Sequence, residues 1–143
     1  MNLSSVEIQD LPPIRALIAS AIRASVAKSE EDAAFLIGDI DKSLEWWREN
    51  PDSSLHLKYG EAGLVAGVIL IKEFWDLTNL FVAPEYQRHG IGRLLLTEAL
   101  DVCRSRSPRD AVLVNSSTYA ACPSVMASNQ SLHRTQCAGK LNR

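Results

Sequence analysis

Two glycines and two arginines lie together where an apolar segment gives way to a helical pattern. After Leu77–Val82 the chain runs through a short loop into Gln87-Arg88-His89-Gly90-Ile91-Gly92, and a helical pattern begins there. The first N–H groups of a helix have no acceptor within it, and the helix dipole places partial positive charge at that end. Glycine lets a ligand approach the backbone closely, and Arg88 and Arg93 add charge. The pattern predicts a site for a phosphate-bearing ligand.

The loop differs from the two best-known phosphate motifs. No Lys-Ser/Thr pair follows the glycines, so it is not a P-loop, and the third small position of a dinucleotide fingerprint is occupied by Leu95. It resembles motif A of the GNAT superfamily of N-acetyltransferases, which is Gln/Arg-x-x-Gly-x-Gly/Ala after a strand ending in Val-x-Pro. Val82-Ala83-Pro84 and Gln87–Gly92 match each of these positions. The alternative is a glycine helix cap without a ligand.

Composition sets broad limits. The 143 residues are enough for one domain with a core, and the hydrophobic content of 46% and charged content of 22% are ordinary for a globular protein. The net charge of −2 gives no reason to expect nucleic acid binding.

The longest apolar run, Leu64–Ile71, is too short to span a membrane, and the N-terminus lacks a signal-peptide pattern. Cys103, Cys122 and Cys137 show neither disulfide nor zinc spacing, so a cytoplasmic protein without a metal is expected.

Two helices are predicted ahead of the strands. Asp10 precedes Leu11-Pro12-Pro13, and apolar residues then recur at helical spacing, which predicts a helix over 11–27. A second apolar stripe predicts a helix over 32–49 that ends before Asn50-Pro51.

The strands and the last helix follow. Ser54–Tyr59 alternates weakly, Leu64–Glu73 is apolar on both faces, and Phe74–Val82 follows almost without a loop, which predicts an antiparallel hairpin. Gly90–Ser105 carries one apolar face, and Ala111–Val114 is a short buried strand. A strand, a helix and a strand of these lengths predict a parallel pair with a right-handed crossover.

The element order ααβββαβ agrees with the resemblance. It implies an α/β (α+β) fold with a mixed, mostly antiparallel sheet flanked by helices, and a short first strand within Met1–Ile8. The resemblance covers roughly residues 3–123, so residues 1–123 are predicted to form an acyl-CoA-binding domain. Residues 124–143 are rich in Ser, Asn and Gln and contain no acidic residue. A helix and two strands need roughly 30 residues, so the usual last two strands are expected to be missing and the tail to be flexible.

The resemblance also implies roles for individual residues. Acetyl-CoA would be the co-substrate, held by its pyrophosphate on the loop and by its pantetheine arm along the preceding strand. The N–H of Leu80 or Val82 would stabilise the oxyanion. The residues expected to contact coenzyme A are Leu80, Phe81, Val82, Gln87, Arg88, His89, Gly90, Ile91, Gly92, Arg93 and Asn115.

Three residues are candidates for proton transfer. Asp76 is the first candidate for the base that deprotonates the amine, since it lies six residues before Val82 and a period of two places both on one face. Glu73 is the second candidate, and for either residue the alternative is a solvated hairpin end. Tyr119 lies near the thiolate-protonating tyrosine of the family but out of register. His89 lies inside the phosphate loop, which favours a solvent-facing position over a base.

Residues of the second helix suggest how an acceptor could be recognised. Trp47 belongs to the apolar stripe, whereas Trp46 either lines a substrate pocket or packs on a loop. Acidic residues cluster in the same region, which suits a cationic amine but is also typical of a solvated helix face. These residues are Glu30, Glu31, Asp32, Asp39, Asp41 and Glu45.

Two functions therefore remain open. The first is an N-acetyltransferase that moves an acetyl group from acetyl-CoA to a primary amine of a small molecule or peptide. The second is a noncatalytic acyl-CoA-binding or assembly module derived from such an enzyme. In either case the missing strands would leave Ala111–Asn115 as an open apolar edge, which predicts a homodimer through that edge.

Overall fold

The computed structural model describes residues 2–25, 27–61, 63–106, 111–115 and 136–140. The helices and strands are, in chain order, β1 (Asn2–Ser5), α1 (Leu11–Ser25), α2 (Glu30–Glu49), β2 (Ser54–Glu61), β3 (Leu64–Lys72), β4 (Asp76–Val82), α3 (Ile91–Cys103), β5 (Ala111–Asn115) and β6 (Gln136–Lys140). The predicted first strand and the three predicted helices are confirmed, with small differences at the helix ends.

The described strands form one sheet in the order β1-β2-β3-β4-β5-β6. The pair β4–β5 is parallel and the other pairs are antiparallel. The parallel pair is joined through α3, as the strand–helix–strand pattern predicted. The mixed, mostly antiparallel sheet with helices on both faces confirms the predicted fold class.

Each face of the sheet is covered by a different set of helices. Apolar residues of α1 and α2, such as Ile14 and Leu44, pack on one face together with Leu70 of β3. Leu95 of α3 packs on the other face against residues such as Ile69. β3 is thus buried on both faces, which explains its nearly continuous apolar sequence.

Local chemistry sets two of the element boundaries. The Ser29 hydroxyl accepts a hydrogen bond of 3.0 Å from the Asp32 N–H, so α2 begins at Glu30 and not at residue 32. Glu73 and Phe74 have positive φ angles of 54° and 65°, so they belong to the turn between β3 and β4. β4 therefore begins at Asp76 instead of at Phe74.

A bulge interrupts the pairing of β4 with β3. Leu70 lies opposite Asn79, whereas the next residue of β3, Ile71, lies opposite Leu77. Thr78 therefore has no opposite residue on β3. One extra residue in a strand reverses the alternation of side chains beyond it.

The bulge corrects one prediction about the site. Asp76 lies opposite Lys72, whose ammonium is 5.1 Å from the centre of the Trp46 ring on the α1 and α2 side. Val82 packs with the residues that contact α3, on the other side. The expectation that Asp76 and Val82 share a face is therefore wrong, because a period of two holds only along a strand without a bulge.

The C-terminal segment also differs from the prediction. Residues Gln136–Lys140 form β6, which pairs with β5 from Ala111 opposite Lys140 to Asn115 opposite Gln136. The expectation that β5 is an open edge is therefore wrong, and at least one strand follows it. The pairing uses main-chain groups, which a polar segment supplies as well as an apolar one. The other residues of the 124–143 segment lie outside the described residues.

Candidate functional site

The start of α3 presents a row of backbone N–H groups. Gly90 is the N-cap with φ 80°, and its carbonyl accepts the first helical hydrogen bond, 3.0 Å from the Leu94 nitrogen. The N–H groups of residues 88–93 have no hydrogen-bond acceptor within the described part of the chain. We call these six groups the amide cradle. Unpaired N–H groups at the positive end of a helix dipole form an anion site.

Side chains add charge to the cradle and fix its position. Arg88 and Arg93 are exposed, and neither forms an ion pair with a described carboxylate. The Gln87 side chain donates a hydrogen bond of 3.2 Å to the Val82 carbonyl, which ties the loop to the end of β4. His89 is exposed. Their guanidinium groups, which bind no carboxylate of the described residues, can neutralise phosphate charge.

A gap opens between β4 and β5 next to the cradle. The two strands pair at Asp76 with Leu113 and at Leu77 with Val114. Beyond Leu77, β4 continues to Val82 without pairing to the described part of β5. The separation therefore begins at the bulge, and residues 78–82 border the gap.

The pairing shows which way the backbone N–H and C=O groups point along this part of β4. The Ala83 N–H donates to the Ala66 carbonyl at 2.8 Å. Since alternate residues of an antiparallel ladder bond the same neighbour, Phe81 also directs its backbone groups to β3, whereas Leu80 and Val82 direct theirs to the gap. The Val82 carbonyl there accepts the hydrogen bond from Gln87. The N–H groups of Leu80 and Val82 therefore face the gap, whereas that of Phe81 faces β3.

The two proposed bases lie at the other end of β4. Asp76 is half-buried and lies on the face of the sheet that α1 and α2 cover. Its polar groups also interact with another part of the protein. Glu73 is exposed in the turn, and its carboxylate accepts a hydrogen bond of 3.3 Å from the Trp75 indole. Asp76 is therefore close to the point where the gap begins, and Glu73 is farther from it.

Aromatic side chains of α2 cover this end of the sheet. The Trp46 ring is half-buried and carries the Lys72 ammonium on its face. Trp47 is buried, as its place in the apolar stripe predicted, and its ring meets the His56 ring edge to face with centroids 4.6 Å apart.

The sequence argument missed three buried polar residues on the α1 and α2 face. Ser54, His56 and Asn79 are at most 9% exposed, and their side-chain polar atoms have no hydrogen-bond partner among the described residues. Burial lowers the pKa of His56 to about 3, although the negative charge of the Asp10 carboxylate acts against this shift. The ring is therefore neutral near pH 7. His56, Leu70 and Asn79 lie in one row across β2, β3 and β4.

Most of the acidic residues in the helical region have partners. Asp41 and Glu45 both bind Arg15, at 3.2 and 3.0 Å, and Glu30 binds Arg23 at 2.9 Å. The Asp32 carboxylate accepts the Lys28 N–H. The negative field predicted from the sequence is therefore compensated in part by Arg15 and Arg23.

Two predicted site residues cannot be placed by their side chains. Tyr119 lies outside the described residues. Asn115 ends β5, where its backbone pairs with Gln136 of β6.

A family model described as an acetyltransferase (GNAT) domain matches residues 24–122, more than half of the chain. This chain belongs to the GNAT acetyltransferase family. The match includes both borders of the gap and the amide cradle. No curated protein shows a significant sequence match to the chain.

Solved structures share the fold of this GNAT domain. A GCN5-related N-acetyltransferase from Rhodopseudomonas palustris has a TM-score of 0.79 and 16% identity, over 98% of this chain and 95% of that one. The PaiA N-acetyltransferase from Thermoplasma acidophilum, solved with coenzyme A, has a TM-score of 0.77 and 17% identity, over 97% and 98% of the two chains. YncA, a putative acetyltransferase from Salmonella typhimurium solved with acetyl-CoA, has a TM-score of 0.71 and 17% identity, over 100% and 95%.

Two further properties concern the described residues alone. Their helices include none that is both long enough and apolar enough to cross a membrane. Their His, Cys, Asp and Glu side chains form no group of three with the arrangement of a metal site.

Proposed function

We propose that this GNAT protein transfers an acetyl group from acetyl-CoA to a primary amine of a small molecule or peptide. The observation that carries the proposal is the amide cradle, whose unpaired N–H groups lie beside the gap between β4 and β5. Two of the similar structures were solved with coenzyme A or acetyl-CoA. The cytoplasmic location and the division of the chain at residue 123 remain predictions. The homodimer also remains untested, but the open β5 edge from which it was predicted is covered by β6.

The residues of the chain fit such a co-substrate. The cradle with Arg88 and Arg93 would hold the pyrophosphate, and the β4 backbone facing the gap would bind the amide groups of the pantetheine arm. Acetyl-CoA supplies the acetyl thioester, whose carbon–sulfur bond breaks as the amine nitrogen bonds to the acetyl carbon. The Leu80 N–H, which faces the gap, would stabilise the oxygen that gains negative charge during this transfer.

Proton transfer is assigned to Asp76. A strand rises about 3.3 Å per residue, so Asp76 lies about 13 Å from Leu80 along β4. That separation is too long for direct contact, so we propose that the carboxylate takes the amine proton through a short chain of bridging waters. Because Asp76 lies on the α1 and α2 face, we propose that the acceptor binds on that side of the sheet. Glu73 is the reserve candidate, and Tyr119 remains the proposed donor of a proton to the leaving thiolate.

Calorimetry and an assay of thiol release together test the proposal. Acetyl-CoA should bind the chain, and free coenzyme A should appear when a polyamine, an aminoglycoside or a peptide amine is also present. Binding without release by any acceptor would favour the noncatalytic acyl-CoA-binding module. The absence of binding would contradict both functions.

A further inference from the structure

The side chain of Asn79 is buried in a way that lowers stability unless a ligand binds it. It is 0% exposed, and neither Oδ1 nor Nδ2 has a hydrogen-bond partner among the described residues. A buried carboxamide loses its hydrogen bonds to water on folding, and the described residues supply none in exchange. Apolar residues such as Leu70, which lies opposite Asn79 on β3, surround this part of the sheet.

The place of Asn79 on β4 distinguishes it from the other buried polar residues. It directly follows the bulge residue Thr78, beyond the last residue of β4 that pairs with β5. His56 lies in the same row but two strands away, and its ring packs against Trp47. Asn79 therefore borders the gap, and His56 does not.

The chemistry of a carboxamide suits one part of coenzyme A. Neighbouring strands lie roughly 4.8 Å apart, so a ligand arm that takes the place of a paired strand beside residues 78–82 comes within reach of the Asn79 side chain. The pantetheine arm carries amide groups, each with one N–H donor and one carbonyl acceptor. A carboxamide offers the complementary acceptor and donor.

We propose that Asn79 is a binding residue for the pantetheine arm of acyl-CoA, with its Oδ1 accepting from and its Nδ2 donating to an amide of that arm. The inference rests on the proposed function, since it requires the arm to enter the gap. It assigns the two ends of the ligand to different groups: the cradle binds the nucleotide and pyrophosphate, and Asn79 binds the arm.

The test compares two ligands on one variant. Asn79→Leu removes the carboxamide and keeps a similar volume. Its affinity for acetyl-CoA should fall by about tenfold or more, while its affinity for ADP carrying a 3′-phosphate, which lacks the arm, should change by less than about twofold. Its melting temperature should rise, because an unpaired polar group has been removed from the core.

His56→Phe is the matched control, because it also removes unpaired polar atoms from the same row but away from the gap. It should leave the affinity for both ligands unchanged. If Asn79→Leu does not fold, Asn79→Ser, which is too short to reach the arm, should show the same selective loss.

Each other outcome overturns the inference in a recognisable way. Equal loss for both ligands, or no loss for either, would mean that Asn79 does not bind the arm. If the parent protein binds the nucleotide fragment as tightly as acetyl-CoA, the assignment of the cradle stands. The pantetheine arm then contributes nothing to the affinity, and the inference about Asn79 is wrong. A parent that binds neither ligand would contradict the proposed function itself.

Discussion

Gly67 of β3 lies directly beneath Ile91, the first residue of α3. A Cβ atom at position 67 would be 2.9 Å from Ile91 Cγ2 and 2.9 Å from Leu95 Cδ1. Such distances are shorter than real Cβ contacts, so the absence of a side chain lets α3 approach the sheet. Because Ile91 also belongs to the amide cradle, Gly67 helps to set the position of the site.

Gly67→Ala should therefore disturb both the core and the cradle. Overpacking of this kind lowers the free energy of unfolding by about 1–3 kcal/mol, and the displaced first turn of α3 should weaken acetyl-CoA binding. Urea unfolding and calorimetry measure the two effects. Gly38→Ala is the control, because no atom lies within 4 Å of a Cβ there and helix α2 should gain stability without a change in affinity. Unchanged stability and affinity in Gly67→Ala would show that the contact does not position α3.

Asp76→Asn should lower turnover by roughly 10²-fold near neutral pH and leave the affinity for acetyl-CoA intact, because the amide cannot accept the amine proton. Steady-state kinetics with a saturating acceptor measure the first quantity, and calorimetry measures the second. Glu73→Gln is the paired variant, since Glu73 is exposed in the adjacent turn. A loss confined to Glu73→Gln would transfer the role to that residue, and equal turnover in all three proteins would remove both from the mechanism.

His56 should make the protein sensitive to mild acid. Burial holds its pKa at about 3 in the folded protein, against an ordinary value of 6.5, so the unfolded chain binds the extra proton between these two pH values. The stability associated with the neutral ring is complete above pH 6.5 and is lost as the pH falls, by up to about 1.4 kcal/mol per pH unit.

His56→Phe tests this assignment, because it keeps an aromatic ring beside Trp47 and removes the titration. Urea unfolding at several pH values between 6.5 and about 5 should show a smaller loss of stability in the variant than in the parent. The same slope in His56→Phe and the parent would mean that His56 is not the buried titrating group.

Deletion of residues 136–143 should increase self-association, because it removes β6 and exposes the edge of β5. Sedimentation velocity at micromolar concentration compares the shortened and full chains. Val112 is 1% exposed, so Val112→Lys would disrupt the core and cannot serve as a test of that edge. Equal association of the two chains would show that β6 does not protect β5.

The sequence predicted the elements that bury a continuous apolar stripe and the loop in which Gly90 has a positive φ. α1, α2, β3 and α3 each have such a pattern, and Gly90 has the positive φ that favours glycine. The residues of the cradle could be named for the same reason, since unpaired N–H groups follow from a helix start.

Three features could not be predicted for physical reasons. The bulge at Thr78 adds one residue without any change in composition, so the faces of Asp76 and Asn79 were not evident. The burial of His56 depends on α2 packing over β2, which no local pattern encodes. β6 pairs through its main chain, and its polar sequence gives little signal.

The measurement that tests the central claim most directly is a calorimetric titration of acetyl-CoA into Gly90→Val and Gly63→Val. Both glycines have positive φ, at 80° and 75°, and neither has an atom within 4 Å of a Cβ. The backbone strain is therefore matched, but only Gly90 lies in the amide cradle, whereas Gly63 lies in the turn between β2 and β3. We predict that Gly90→Val lowers the affinity by more than about tenfold and that Gly63→Val leaves it unchanged. Equal affinity in the two variants would contradict the assignment of the cradle as the acetyl-CoA site.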